Sequence, residues 1–340
     1  MLKAVFLATS IFLCASMAWA QSYTIIDLGS FGGLNGSIAM AVNDSGKATG
    51  WASRGSDVLA PFLWSQSKGL QPLGTLGGSQ GSGLGINASG QIVGWSTVGF
   101  VQRAFLWTPK TGMQDLGTLG GSFSVASVIN ATGQIAGWSY RTDGTTHAFF
   151  MNPGTTMQDI GTLGGTVSQA YGISDSGQVV GSANRASGLE DAFLWTEAGG
   201  MQDLGNLGGI GSRALAINAT GRVAGYSNIP GDTAFHAFLW SKSRGMQDLG
   251  ILSGGNDSRA DAINASGSIV GTSTTAGQAA YHAFIWTPAG GMKDLNNLIP
   301  AGTDWTLVEA FGINRSGQIV GSGGRADGLA HAFLLTPVKQ

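Results

Sequence analysis

Charge is scarce in this sequence. Asp, Glu, Lys and Arg together make up 11% of its 340 residues, against roughly 25% in an average soluble domain. So few lysines and glutamates, beside so much glycine, argue against helical bundles and helical repeats. The formal net charge is −2 and no basic run occurs, so neither nucleic acid nor an anionic membrane surface is expected as a partner. Proline is used only 8 times and cysteine once, as Cys14. No apolar run beyond the first twenty residues approaches the length of a bilayer span, so membrane insertion is not expected.

The single cysteine lies in a segment that is not expected to reach the mature protein. Met1-Leu2-Lys3 carries one positive charge, Ala4 to Met17 is almost wholly apolar, and Ala18-Trp19-Ala20 is an A-x-A cleavage site. Residues 1–20 therefore read as a secretory signal peptide. Phe12-Leu13 before Cys14 lack the small residues of a lipoprotein site. The mature chain is expected to begin near Gln21, in the periplasm or outside the cell, with no disulfide to stabilise it.

What the sequence does have is glycine, 57 times, and apolar bulk in 10 Trp and 15 Phe, which argues against disorder. These residues recur in a fixed order, and the repeat decides the fold. A turn of the form Asn-x-Ser/Thr-Gly begins at Asn43, Asn87, Asn130, Ser174, Asn218, Asn264 and Asn314. An Ala-Phe run follows at Pro61-Phe62, Ala104-Phe105, Ala148-Phe149, Ala192-Phe193, Ala237-Phe238, Ala283-Phe284 and Ala332-Phe333. An Asp-Leu-Gly motif or close relative surrounds Leu28, Leu73, Leu116, Ile160, Leu204, Leu249 and Leu295.

Each unit reads as four short strands. Strand a carries small residues at alternate positions, as in Ser124, Ala126 and Val128, and period two marks a strand. The Asn turn leads into strand b, Gln91 to Trp95 in one copy. Strand c is the Ala-Phe run, and strand d is the Met-Gln-Asp-Leu-Gly run. Four strands in roughly 44 residues is the size of a propeller blade. The mature chain opens on a lone strand d, Tyr23 to Gly29, and closes on a strand c, His331 to Leu335. A ring explains this permutation, because the first strand then completes the last blade and covers two sheet edges. The expected fold is all-β: a seven-bladed β-propeller over residues 21–340, closed by pairing of the N-terminal strand with the last blade. The blades fall near 30–75, 76–119, 120–163, 164–207, 208–252 and 253–298, with 299–340 joined by 21–29.

Gly112-Met113-Gln114-Asp115-Leu116-Gly117-Thr118-Leu119-Gly120-Gly121, Ala216-Ile217-Asn218 and His236-Ala237-Phe238-Leu239-Trp240 resemble the HAF repeat family of bacterial extracellular proteins. The likeness covers residues 22 to 338. It implies export and a repeat architecture, and implies no reaction. Relatives often end in a sorting or anchoring segment; Thr336-Pro337-Val338-Lys339-Gln340 holds none, so surface anchoring is not expected.

Several recurring polar residues invite chemistry and read better as structure. His147, His236, His282 and His331 share one position just before Ala-Phe, where the other copies hold Ala60, Arg103 and Asp191. Equivalent positions on strand c lie on separate blades, so they cannot converge on one metal ion. Asp27, Asp115, Asp159, Asp203, Asp248 and Asp294 are likewise fixed to the repeat, with Pro72 in the remaining copy. Six equivalent acids do not make the differentiated pair that acid–base catalysis needs. The Asn-x-Ser/Thr sequons read as turn chemistry, and Leu119-Gly120-Gly121 lacks the Lys and helix of a phosphate loop. No metal and no cofactor are expected.

The residues that break the repeat carry the functional expectation. The b–c and d–a connections vary in length and hold most of the charge: Arg54 and Asp57, Arg141 and Asp143, Arg185 and Glu190, Arg325 and Asp327. Strand a starts on that face, nearest the axis. Its diverging positions are Ile38, Ser82, Val125, Gln169, Arg213, Arg259 and Glu309, then Met40, Leu84, Ser127, Tyr171, Leu215, Asp261 and Phe311. Gln169, Tyr171, Arg213, Arg259, Asp261 and Glu309 are therefore expected around the channel mouth, with Trp305 beside them on the insertion 299–305. Variable loops on a rigid scaffold are where binding groups concentrate. The expected function is a monomeric, non-enzymatic binding module for a glycan or an extended peptide. Trp305 and Tyr171 would stack, and Arg213 and Arg259 would meet anions or hydroxyls. Two other readings stand beside it: a hydrolase or lyase using Asp261 and Glu309, and a purely structural envelope or matrix protein.

Overall fold

The computed structural model describes residues 22–338 apart from 34–35, 56–57 and 277–279. The expected leader, 1–20, and Asp57 lie outside the described residues. Among the described residues the named elements are strands, apart from a 3-10 turn at Leu295–Asn297. In the first repeat, strands a to d are Ser37–Val42, Ala48–Ser53, Leu59–Ser65 and Gly69–Pro72. They pair antiparallel in that order. The same meander recurs along the chain as five four-stranded sheets and one eight-stranded sheet. The larger sheet holds two meanders, opening at Gly120–Ile129 and Gly164–Ile173, that a parallel pairing of Thr146 on strand c of the first with Val167 on strand a of the second joins.

Both chain ends meet in one sheet. Tyr23–Asp27 pairs antiparallel with Ala330–Pro337, setting Ile25 opposite Leu335. The last sheet then packs on the first, with Leu28, Ala39, Phe62, Val320, Ala332 and Leu334 in one apolar cluster. Phe62, Phe105, Phe149, Phe193, Phe238, Phe284 and Phe333, the aromatic of each Ala-Phe run, are fully buried.

Three polar devices explain the repeat's invariant letters. The Asn of each a–b turn accepts from its own turn: Asn130 Oδ1 takes the Gln134 N–H at 2.8 Å and the Thr132 hydroxyl at 2.9 Å. Its Nδ2 donates onward to the next turn's carbonyl. The links run from Asn43 to Asn87, Asn87 to Asn130, Asn130 to Ser174, Asn218 to Asn264, Asn264 to Asn314, and Asn314 back to Asn43. These asparagines are buried and used at both ends, which rules them out as glycosylation sites in the folded chain. Second, a strand-a serine clamps neighbouring sheets: Ser124 Oγ donates to Gly117 O at 2.7 Å and accepts the Ala104 N–H at 2.9 Å. Third, the strand-d aspartate closes an Asx turn, as Asp115 Oδ1 accepts the N–H of Gly117 at 2.8 Å, with Gly117 at φ 83°.

Strand a is not a plain alternation. In every described copy its register slips by one residue, between Ala39 and Ala41 in the first and between Ala260 and Ala262 in the sixth. Such a bulge sets two residues against one and re-aims the extra side chain. The extra residue is Met40, Leu84, Ser127, Tyr171, Leu215, Asp261 or Phe311. The strand-b glycine opposite makes room for this approach. A Cβ on Gly225 would lie 1.9 Å from the Arg213 carbonyl oxygen, and one on Gly50 would lie 1.9 Å from that of Ile38.

Candidate functional site

The bulge residues of all these strands line one central cavity of about 220 Å³. The residue two before each bulge forms an outer row, from Ile38 round to Glu309, where the b–c loops and d–a connections emerge. Exposed apolar side chains gather on the same connections: Phe100, Leu189 and Ile210.

Half of the mouth is polar, and its expected members fall into two groups. In the first, Arg213 meets Glu190 with Nε 2.9 Å and Nη2 2.8 Å from Oε2. Glu190 Oε1 accepts the Ser182 hydroxyl at 2.6 Å, and the Tyr171 hydroxyl donates to Gln169 Oε1. Burial pushes the Tyr171 hydroxyl pKa up. In the second, Arg259 Nε lies 2.9 Å from Asp261 Oδ1, and its Nη2 lies 3.5 Å from Glu309 Oε1. Burial raises the Asp261 carboxyl to about 7, against the opposing pull of Arg259. Both carboxylates of the hydrolase reading therefore hold one guanidinium. Tyr226 joins the groups: burial raises it, and its hydroxyl responds to Arg213 and Glu190 on one side and to Arg259 and Asp261 on the other.

Trp305 is not brought to this cluster. Its ring stands edge-on to His331 at 5.9 Å and to Phe333 at 6.2 Å, with the Arg325 guanidinium 5.3 Å from its centroid. The insertion folds back on its own sheet because Asn296 pins it, donating to Leu307 O at 3.0 Å and accepting the Leu307 N–H at 2.7 Å. A large indole gains more by packing on the last sheet's core than by standing in water over the mouth.

Beside the remaining outer-row residues stand side chains that the sequence reading passed over. Cross-strand partners share a sheet face, and the outer-row residues Ile38, Ser82 and Val125 pair directly with Trp51, Trp95 and Trp138. In the polar copies the same strand-b position holds Ser182, Tyr226, Thr272 and Ser322. This position reaches toward the next strand a, since Thr272 Oγ1 donates to Val308 O at 2.9 Å. The three indoles are half-buried and belong to none of the apolar clusters among the described residues. Their signal was available: the position after each strand-b glycine diverges between copies as the outer row does.

The recurring histidines pair with the strand-d aspartates of their own sheets, whereas Asp191 at the same position opposite Asp203 is held by Arg185. His147, His236 and His282 place Nδ1 2.8, 2.8 and 2.6 Å from Asp159, Asp248 and Asp294. Arg103 meets Asp115 at 3.2 Å, and the copy that lacks a polar residue at one position, Ala60, lacks it at the other, Pro72. At the seam His331 Nδ1 is 2.9 Å from Asp27, which Arg325 also reaches at 2.8 Å. These pairs hold strand c to strand d, a partnership the sequence reading did not expect.

No family model matches the chain, and a search of curated proteins finds no match. Solved structures do resemble it. TolB from Acinetobacter baumannii matches with a TM-score of 0.50 and 12% identity over 90% of this chain, which spans 64% of TolB's length. The β-propeller domain of the trilobed protease from Pyrococcus furiosus, described as an open velcro topology, matches at 0.59 and 9% identity, covering 89% of this chain and 98% of that one. YCF48, solved bound to a D1 peptide, matches at 0.54 and 10% identity over 94% and 97%. At these identities the likeness speaks for architecture: the chain is an all-β protein with the propeller fold.

Proposed function

We propose that this chain is an exported, seven-bladed propeller of the HAF repeat kind whose variable-loop face binds a glycan or an extended peptide. The blade count follows if the eight-stranded sheet is two blades touching at Thr146 and Val167. The observation that carries the reading is the division of the mouth. Positions that diverge between the copies hold Trp51, Trp95 and Trp138 on one side and the Arg213–Glu190 and Arg259–Asp261–Glu309 groups on the other. Flat aromatic faces beside fixed charged donors and acceptors suit a sugar ring or a peptide side chain. A hollow of about 290 Å³ beside the mouth, lined by Leu189, Ile210, Arg213 and Tyr226, gives such a ligand a second foothold. The peptide bound to YCF48 is in keeping with this use of the fold.

Glycan and peptide arrays probed with protein lacking residues 1–20 test the proposal. Binding is expected, with at least a roughly tenfold loss on Trp138→Ala or Arg213→Gln, as for a central aromatic or Arg anchor. Absence of binding to every glycan and peptide contradicts it. The hydrolase reading rests on one observation, the raised carboxyl of Asp261 beside Glu309, which has the protonation a general acid needs near neutral pH. It requires turnover of a bound ligand that Asp261→Asn abolishes without abolishing binding.

A further inference from the structure

The face opposite the mouth also carries a built groove. A hollow of about 960 Å³ lies against the a–b turn at Ala219–Arg222 and the c–d turn at Ser241–Ser243. A second, of about 500 Å³, shares Arg222, Ser241 and Ser243 with it and runs on to Trp286. Together they form one depression across three consecutive repeats, with Trp240 and Trp286 in its walls and Gln178 and Thr220 at its edge.

Its charge sets it apart. Arg222, Lys242 and Arg244 are exposed around it, and among the described residues none of the three is in an ion pair. Most other arginines are committed: Arg103, Arg141, Arg185, Arg213, Arg259, Arg315 and Arg325 hold carboxylates, and Arg54 is the exception among the described residues. Asp248, at the far end of the groove, is bound by His236 and by the Gly250 N–H. All three cations occur together in this copy only, although the first copy has Lys47 and Lys68 at the places of Arg222 and Arg244. Where Arg222 follows its turn, the other copies have Lys47, Gln91, Gln134, Gln178, Ser268 and Gln318. Where Lys242-Ser243-Arg244 stands, the preceding copy has Glu197-Ala198-Gly199.

We propose that this groove binds an acidic polysaccharide. The uncommitted cations would meet carboxylate or sulfate groups along the polymer, the serine, threonine and glutamine side chains its hydroxyls, and the half-buried Trp286 a sugar face. The assignment does not depend on the mouth, which lies on the other side of the ring.

Protein lacking residues 1–20 is titrated with polygalacturonate, dextran sulfate, polyphosphate of matched charge and neutral dextran. At least one acidic polysaccharide is expected to bind, more weakly as salt rises, and neutral dextran is not. The triple variant Arg222→Gln, Lys242→Gln, Arg244→Gln should keep the wild-type melting midpoint, because all three side chains are exposed, and lose at least roughly tenfold in affinity, the scale of removing several charge-assisted contacts. Trp138→Ala, on the opposite face, should bind the polymer as the wild type does. Failure of both acidic polysaccharides to bind at low salt, or unchanged binding by the triple variant, overturns the site. Polyphosphate binding as tightly as the polysaccharides overturns the sugar part of the assignment.

Discussion

At the scale of single residues, the strand-b glycines and the bulge residues opposite them set the geometry of the mouth. Gly225→Ala would place a methyl group 1.9 Å from the Arg213 carbonyl, so strand a must move. We expect about 3 kcal/mol of destabilisation, at the upper end of overpacking costs, measured by urea unfolding. Asp261 carries a pH signature. Its carboxyl stands at about 7 in the fold against an ordinary 3.8, so between those values the folded chain holds a proton that the unfolded chain releases. That contribution is fully present below about pH 4 and is lost as pH rises through about 7. Unfolding free energies of wild type and Asp261→Asn across that range should differ in slope, the variant's being flatter. Parallel curves contradict a raised Asp261. The alternation of small residues exposed strand a in the sequence, but not its bulge. A slip of one residue leaves no letter of its own, and only the glycine on the partner strand marks it.

At the scale of strands and turns, much could be read because the repeat writes each device several times. The Asn turn, the buried Ala-Phe run and the Asp-Leu-Gly strand all stand where their motifs placed them. What the motifs hid was partnership. The His before Ala-Phe and the Asp of strand d are twelve residues apart in the Asn152-containing copy, as His147 and Asp159, and each looks self-sufficient until strands c and d are laid side by side. The Asn chain of hydrogen bonds also crosses repeats, so a single unit cannot reveal it. Ser174 interrupts this chain, since a hydroxyl cannot both serve its own turn and reach the Asn218 carbonyl. Ser174→Asn is expected to supply the missing link and stabilise by about 1 kcal/mol, the net value of one hydrogen bond, seen as a higher melting midpoint. Asn130→Ser should cost a similar amount. Trp305 shows the opposite limit: an aromatic on an insertion reads as a binding group, but tertiary burial decided its place.

For the whole molecule, the placement of charge follows the division of labour between the two faces. The connections that vary carry the exposed Phe100, Leu189 and Ile210 and the paired acids Asp143, Asp304 and Asp327, and the indoles stand on strand b. The stereotyped turns carry the uncommitted cations Arg222, Lys242 and Arg244. Both proposed sites exist only because the sheets share one axis, and that depends on the seam. The seam rests on five strand pairings from Tyr23–Pro337 to Asp27–Phe333 and on the carboxylate of Asp27, held by His331 and Arg325. Residues 21–340 contain no cysteine, which makes this directly measurable. Thr24 and Thr336 are Cα partners across the seam, and both can be replaced by cysteine in protein lacking residues 1–20. Mild oxidation of the dilute protein should close a disulfide within one chain, leave no free thiol, and raise the melting midpoint, since the cross-link spans nearly the whole sequence. Free thiols that persist, or disulfides that form only between chains, would contradict the closed ring.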